Sequence, residues 1–158
     1  MTKHYDSDHS LNQKIMKGVN ILVDNVASTL GPRGRNVILQ KKGDNPIITK
    51  DGVTIAKFIE LEDPFENAGA QIIKQAAAKS NAEAGDGTTT TTVLARAILE
   101  QSQRYLIAGT SPVEIKRGMD KAMTAMIEQL KEMAMPIKSE RDMQNIATIS
   151  ANGDRVLG

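Results

Sequence analysis

The run from Gly85 to Thr92 is the part of the sequence most suited to chemistry. Two glycines flank an aspartate, and five threonines then lead directly into an apolar helical pattern. Glycine lets a backbone turn tightly and come close to a ligand, and a helix that begins near Thr88 directs its free N–H groups back at the loop. Such a helix start attracts phosphate. The run is therefore a candidate phosphate-binding loop.

Asp86, between the two glycines, decides what kind of phosphate site this would be. A carboxylate beside a phosphate is repulsive unless a cation lies between them, and Mg²⁺ is usually bound by one or two carboxylates together with phosphate oxygens and water. The pattern therefore indicates a Mg²⁺–nucleotide phosphate site. The alternative is an ordinary helix cap in a low-complexity threonine run. No Walker loop, G-x-x-x-x-G-K-S/T, occurs in the sequence.

Composition narrows the class of protein. The 158 residues are 40% hydrophobic but only 3% aromatic, which predicts an aliphatic, methionine-rich core. The formal net charge of +1 gives no electrostatic argument for binding nucleic acid or an anionic membrane. The absence of cysteine excludes disulfides and thiol catalysis. Because the N-terminus has neither a signal-peptide nor a transit pattern and no apolar run could span a bilayer, the predicted location is cytoplasmic.

Helical periodicity predicts the elements that would hold the threonine loop. A first helix, capped by Ser10 after a polar tail or strand, ends at Gly31-Pro32, because glycine accepts the left-handed position and proline cannot continue a helix. Residues 36–40 and 46–49 are predicted to form a β-hairpin. Asp51 then either caps a short helix or forms an Asp-Gly turn. An acid at a strand end can also position a water for attack on phosphate, although an Asp-Gly pair is more often just a turn. The predicted fold class is mainly α, a helical bundle with a small β-hairpin.

The later helices are marked by their caps. Asp63-Pro64 begins a helix that runs to Gly85, and the threonine run begins a second one that ends near Ala108. Ser111 has the spacing of a capping box and begins a third helix, which stops at Pro136, and a shorter helix begins at Ser139. The apolar residues predicted to face inward are Leu11, Ile15, Val19, Leu22, Val26 and Leu30; Phe65, Ala68, Ile72, Ile73, Ala76 and Ala77; Ile115, Met119, Ala122, Met126, Leu130 and Met133; and Met143, Ile146 and Ile149.

Taken together, the segments resemble the N-terminal part of a subunit of the group I (GroEL-like) chaperonins. The resemblance extends from about Lys14 to Asp154, and its specificity comes from the order and spacing of short strings. The matching strings are TLGPRGRNV (29–37), ITKDGV (48–53), ELEDPFEN (60–67), GAQ (69–71), AGDGTTT (84–90), KRGMDKA (116–122) and ISAN (149–152).

The resemblance implies a domain organisation. Residues 1–136 would be the N-terminal part of an equatorial ATP-binding domain, incomplete relative to the family, and residues 137–158 would begin the hinge-like intermediate domain. Chains of this family are several times longer and continue into an apical domain and returning equatorial helices. Large apolar helix faces would lack partners in this chain, which predicts weak stability or self-association.

The resemblance also assigns roles to single residues. Asp86 would bind Mg²⁺ and take part in nucleotide binding, and Asp51 would orient the attacking water, which makes it the predicted catalytic residue. A K⁺ ion is a further possible cofactor. The other residues implied to line the ATP site are Thr29, Leu30, Gly31, Pro32, Lys50, Gly87, Thr88, Thr89 and Thr90. The sequence departs from the family pattern with Arg33 where lysine is usual, with Thr91 where alanine is usual, and at residues 6–9, which lack the family's Phe-Gly pair and so do not predict the usual strand pairing with a neighbouring subunit.

The function implied is that of an ATP-dependent protein-folding chaperonin subunit. The complete subunit would assemble with its own copies into a ring, hydrolyse ATP, and act on a co-chaperonin and unfolded client proteins through regions absent from this sequence. The chain alone is expected to be catalytically incomplete. The alternative from another class is a non-enzymatic helical assembly module without nucleotide binding. A free-standing kinase or phosphatase is disfavoured, because the sequence has no Walker loop and no histidine placed as a general base.

Overall fold

The computed structural model describes residues 8–41, 43–151 and 153–156, with side chains from Ser10 onward. The chain is mainly helical with one two-stranded antiparallel sheet, which confirms the predicted fold class. The elements in chain order are α1 (Asp8–Ala27), β1 (Val37–Leu39), β2 (Ile47–Thr49), α2 (Gly52–Phe58), α3 (Pro64–Ala84), α4 (Thr88–Ile107), α5 (Pro112–Met133) and α6 (Glu140–Ser150).

The chain forms two compact units that meet in sequence between Arg104 and Tyr105. The first unit contains α1 to α3, the hairpin and most of α4, and the second contains the end of α4 with α5 and α6. The domain boundary predicted after Pro136 is not tested by this division and stays a prediction. No helix among the described residues is long and apolar enough to cross a membrane.

The core of the first unit lies where α1 crosses α3. Two glycines make this crossing very close: a Cβ atom at Gly18 would lie 1.7 Å from the carbonyl oxygen of Glu66, and one at Gly69 would lie 2.1 Å from that of Ile15. Larger residues would push the helices apart, because real Cβ atoms do not approach backbone so closely. The fully or almost fully buried apolar residues around the crossing are Val19, Leu22, Val23, Val26, Leu39, Ile55, Ala56, Ala70 and Ile73.

The hairpin and the caps of the first unit agree with the sequence. Val37 pairs with Thr49 and Leu39 with Ile47 in antiparallel register. Asp51 caps α2 and Asp63 caps α3, each by accepting backbone N–H groups of the first helical turn. Of the alternatives left open for Asp51, the structure therefore has the helix cap.

The second unit exposes its apolar faces. None of the residues of α5 or α6 is buried, although the spacing of their apolar residues predicted core faces. Leu130 is 61% exposed and Met133 74% exposed on α5, and Ile149 is 73% exposed on α6. The inward placement predicted for these helices is wrong for this chain. The expectation that apolar faces would lack partners fits what α5 and α6 show.

Smaller expectations also need correction. Residues 1–7 lie outside the described part, and α1 already includes Asp8, so Ser10 is inside the helix and does not cap it. Ser111 precedes α5 but makes no capping side-chain hydrogen bond. In the first unit the predicted inward set is wrong at three further positions, because α1 ends before one of them and the buried stripe of α3 is narrower than its apolar pattern. These exposed positions are Leu30, Ala68 and Ile72.

Candidate functional site

Three chain segments converge beside the threonine run. A Cβ atom added to Gly52 would lie 2.5 Å from the Thr89 hydroxyl oxygen and 3.2 Å from a methyl carbon of Val26. The start of α2, the start of α4 and the C-terminal end of α1 therefore meet at one point. Since Asp51 directly precedes Gly52, the fold brings the predicted catalytic residue next to the predicted phosphate-binding helix.

The first turn of α4 has buried and outward-facing threonines. Thr88 and Thr92, one turn apart, are buried, whereas Thr90 is exposed and Thr89 is half-buried against Gly52. The first backbone hydrogen bond of the helix runs from the Thr91 N–H to the Gly87 carbonyl at 2.8 Å. Helix geometry leaves the N–H groups before it without acceptors inside the helix. These donors and the positive end of the helix dipole suit a phosphate group.

The loop before α4 is shaped by two glycines with positive φ. Gly85 ends α3 at φ 70° and Gly87 has φ 80°, a backbone region that other residues rarely adopt. One carboxylate oxygen of Asp86 accepts the Gly87 N–H at 2.6 Å, and the Ser80 hydroxyl donates to the Asp86 carbonyl at 3.2 Å. No ion pair with Asp86 is present among the described residues, so its second carboxylate oxygen is left for a ligand.

Asp51 is held more firmly than Asp86. Its Oδ1 accepts the Val53 N–H at 3.2 Å, and its Oδ2 accepts the Thr54 N–H at 2.9 Å and the Thr54 hydroxyl at 2.5 Å. Partial burial raises the pKa of this carboxyl, but the hydrogen bonds from Thr54 and Val53 and the charge of Lys57 outweigh it, so the pKa lies below its ordinary value. Asp51 is therefore anionic at neutral pH.

The turn after α1 is folded on itself. The Thr29 hydroxyl donates to the Val26 carbonyl at 2.7 Å, the Gly34 N–H donates to the Gly31 carbonyl at 2.9 Å, and the Arg35 N–H donates to the Ser28 carbonyl at 2.9 Å. Because Val26 also contacts the Gly52 position, the start of this turn lies close to the point where the three segments meet. Gly31 adopts φ 75°.

Not every predicted site residue is drawn into this arrangement. Lys50 and the Leu30–Pro32 turn are exposed, and no hydrogen bond or ion pair among the described residues joins them to α4. An ion pair between Arg96 and Asp24 joins α4 to α1, and apolar residues of α4 pack against the core. The structure thus brings together Asp51, Thr89 and the end of α1, and leaves Lys50 and residues 30–32 at the surface.

A divalent ion at this site would need ligands other than protein side chains. The described part of the chain holds no group of three or more His, Cys, Asp or Glu residues that could bind a metal. Asp86 can offer one exposed carboxylate oxygen, which matches the way Mg²⁺ is bound through one or two carboxylates plus phosphate oxygens and waters. The residues present therefore fit Mg²⁺ that arrives with a nucleotide, and do not form a metal site by themselves.

Four residues that shape the site were not among the predicted site residues. Gly52 permits the close approach of α2 and α4, Thr54 binds Asp51, Ser80 holds the Asp86–Gly87 loop, and Thr92 is buried beneath the helix start. Two of them had a signal in the sequence. Thr92 lies four residues after Thr88 and so on the same helix face. Thr54 lies three residues after Asp51, and a hydroxyl at that spacing can reach back to a capping aspartate.

Comparison with known protein families gives one match that covers most of the chain. Residues 22–157 match the sequence model of the TCP-1/cpn60 chaperonin family. The match includes the turn after α1, the hairpin, Asp51 and the whole threonine run. The site described above therefore lies entirely within the matched region.

Proposed function

The chain belongs to the TCP-1/cpn60 chaperonin family, and from this premise we propose that it binds Mg²⁺-ATP where the start of α4 meets Asp51 and the end of α1. Chaperonins as a family act in protein folding and depend on nucleotide. The single observation that supports the proposal is the close approach of Gly52 to the Thr89 hydroxyl. Gly52 directly follows Asp51, an anionic and firmly held carboxylate, and Thr89 belongs to a helix start suited to phosphate.

The roles of the individual residues follow from their surroundings. The backbone N–H groups at Thr88, Thr89 and Thr90 donate to phosphate oxygens, and Gly87 allows the phosphate to approach the backbone. For two further parts of the site the proposal rests on the family resemblance and not on their surroundings: the segment Thr29–Pro32 would line the opposite side, and Lys50 would supply a positive charge near the phosphates. A bound Mg²⁺ supplies neutralisation of phosphate charge next to Asp86.

Asp51 acts on water and not on the nucleotide. A carboxylate with a lowered pKa is a weak base. Asp51 therefore orients a water molecule by accepting a hydrogen bond from it, and does not remove the proton of that water. Hydrolysis in this family serves a cycle of client folding. We extend this to the finer features implied by resemblance, namely the group I type, homo-oligomeric ring assembly, a co-chaperonin, unfolded clients and cytoplasmic location.

Calorimetric titration of the chain with ATP, with and without Mg²⁺, tests the proposal. The wild-type chain is expected to release or absorb heat on binding only when Mg²⁺ is present. Asp86→Asn keeps an acceptor for the Gly87 N–H but removes the charge, so it should weaken Mg²⁺-dependent binding by about tenfold or more.

The matched control is Asp44→Asn, which neutralises another exposed aspartate in a turn, in the hairpin of the same unit. Its affinity should equal that of the wild type. Equal affinities for Asp86→Asn and the wild type would remove Asp86 as the metal ligand. An absence of heat under all conditions would favour the alternative of a helical assembly module without nucleotide binding.

A further inference from the structure

The carboxylate of Asp51 has an uneven set of hydrogen-bond donors. Its two oxygens offer about four acceptor positions together. Oδ2 accepts twice, from the Thr54 N–H and the Thr54 hydroxyl, whereas Oδ1 accepts once, from the Val53 N–H at the longer distance of 3.2 Å. The acceptor position that remains available therefore belongs to Oδ1.

The hydrogen bond from the Thr54 hydroxyl determines this difference between the two oxygens, because it fills the second acceptor position of Oδ2. At 2.5 Å it is the shortest of the three bonds to the carboxylate, and a bond between a neutral donor and a charged acceptor is about twice as strong as a neutral one. The backbone next to Asp51 has little freedom to compensate, because Gly52 is buried against Thr89 and Val26. Without the Thr54 hydroxyl the two backbone N–H bonds would remain, one to each oxygen, so Oδ2 would gain an open acceptor position and either oxygen could then accept from water.

We propose that Thr54 is a positioning residue for Asp51, whose hydroxyl occupies Oδ2 and so keeps Oδ1 as the oxygen that orients water at the nucleotide. This inference rests on the proposed function, since it assigns a task to a residue that does not itself contact the ligand. Thr54 is half-buried in the first turn of α2, a place where an ordinary cap needs only the Asp51 side chain and backbone N–H groups.

Three substitutions in the full chain test the inference. Thr54→Val keeps the shape of the side chain and removes the hydroxyl, and Thr54→Ser keeps the hydroxyl and removes a methyl group. Thr124→Val is the matched control, because Thr124 is an exposed helical threonine whose hydroxyl donates to the Asp120 carbonyl in α5. For each variant we would measure the pKa of the Asp51 carboxyl by ¹³C NMR titration, the Mg²⁺-ATP affinity by calorimetry, and ATP hydrolysis with the chain in excess over nucleotide.

The pKa measurement does not depend on nucleotide. In Thr54→Val the pKa of Asp51 should rise by about one unit, because the loss of one hydrogen bond to the charged form destabilises it. Thr54→Ser should return the pKa to within a few tenths of a unit of the wild type, and Thr124→Val should leave it unchanged. An unchanged pKa in Thr54→Val overturns the inference whatever the chain does with ATP.

The nucleotide measurements separate this inference from the proposed function. Thr54→Val should slow hydrolysis by about tenfold while Mg²⁺-ATP affinity stays within about twofold, and should cause no additional slowing in an Asp51→Asn background. If the wild-type chain binds no Mg²⁺-ATP, the proposed function fails first. If it binds and hydrolyses while Thr54→Val matches it, only the role of Thr54 fails. If the wild type binds Mg²⁺-ATP but does not hydrolyse it, as expected of a catalytically incomplete chain, the pKa of Asp51 in Thr54→Val decides the inference: a rise supports it and an unchanged pKa overturns it.

Discussion

Helices α1 and α5 have the same kind of sequence and opposite surroundings. Both segregate apolar from polar residues along their length, and α5 does so more strongly than α1. Yet α1 buries four apolar side chains completely against α3 and its neighbours, whereas α5 buries none. Periodicity therefore predicts which face of a helix is apolar. Whether that face is covered depends on a second surface that the sequence of the helix does not contain.

Truncation of a leucine should show the largest contrast between the two helices. Leu22 on α1 is fully buried and Leu130 on α5 is 61% exposed. Leu22→Ala should lower the free energy of unfolding by about 3 kcal/mol through lost burial and a cavity, while Leu130→Ala should lower it by less than about 1 kcal/mol. Urea unfolding of both variants measures this. Equal losses would mean that the α5 face is covered in solution, and a concentration-dependent midpoint would identify self-association as the cause.

Replacing a helical glycine by alanine should change the stability in opposite directions in α1 and α5. A methyl group at Gly18 would overlap the backbone of Glu66, whereas nothing lies within 4 Å of the same position at Gly118. Gly18→Ala should destabilise the chain by about 2 kcal/mol, because α1 and α3 must separate. Gly118→Ala should stabilise α5 by about 0.5–1 kcal/mol, since alanine restricts the unfolded chain and favours the helix.

Thermal and urea unfolding of the two glycine variants would be compared with the wild type. Gly69→Ala, at the second close contact of the same crossing, should behave like Gly18→Ala. A stabilised Gly18→Ala would show that α1 and α3 are further apart than the structure has them.

The candidate site lies in the well-packed first unit, so a larger residue at Gly52 should also destabilise the chain. Gly52→Ala would bring a methyl group to 2.5 Å from the Thr89 hydroxyl oxygen, which should cost about 1.5 kcal/mol of stability. Removal of that hydroxyl in Thr89→Ala should relieve most of the overlap, so the double variant should be more stable than the sum of the single variants predicts. Strict additivity in urea unfolding would show that α2 and α4 do not meet at this point.

The sequence predicts much of the first unit because its signals are local. Asp63-Pro64 begins α3 and Gly85 ends it, and both signals depend on residues that cap or terminate the helix themselves. The hairpin is predicted for the same reason. Local signals fail for Leu30 and Ile72, which continue an apolar pattern beyond the surface that covers it.

The site was predicted only in part from the residues themselves. Glycines around Asp86 and a helix start at Thr88 indicate phosphate without any tertiary information. The convergence with Asp51 could not be derived in this way, because it depends on how closely α2 approaches α4, and the small size of Gly52 has no distinct meaning until its neighbours are known. An acid at a strand end can position a water molecule, but an Asp-Gly pair is more often a simple turn, so the role of Asp51 was predicted mainly from the family resemblance.

Two serines that precede helices in the second unit should differ in their effect on stability. Ser139 accepts the Asp142 N–H and forms a complete capping box, whereas Ser111 makes no side-chain capping bond. Ser139→Ala should destabilise α6 by about 1 kcal/mol. Ser111→Ala should change the stability of α5 by only about a few tenths of a kcal/mol. Hydrogen exchange of the amides in each helix would measure the two local effects. A loss of protection in α5 upon Ser111→Ala would mean that the cap forms in solution.

Acid should destabilise the two units through their capping aspartates. This loss of stability is expected to be smaller than those of the substitutions above. In the first unit, the N–H groups of Glu66 and Phe65 and the charge of Lys14 lower the pKa of Asp63. In the second unit, the N–H groups of Lys138 and Ser139 and the Ser139 side chain lower the pKa of Asp142. A lowered folded-state pKa means that the unfolded chain binds more protons in acid. The stabilisation is therefore complete above the ordinary value of 3.8 and is lost as the pH falls below it.

Asp63→Asn and Asp142→Asn keep a capping oxygen but cannot be protonated in this range. Each variant should lose less stability than the wild type between pH 7 and about pH 3. Because α3 is part of the core, the difference for Asp63→Asn should appear in the global urea midpoint, whereas that for Asp142→Asn should be confined to amide exchange in α6, whose apolar face is uncovered. A global effect of Asp142→Asn would show that α6 unfolds together with the first unit, and that the two regions share one cooperative transition.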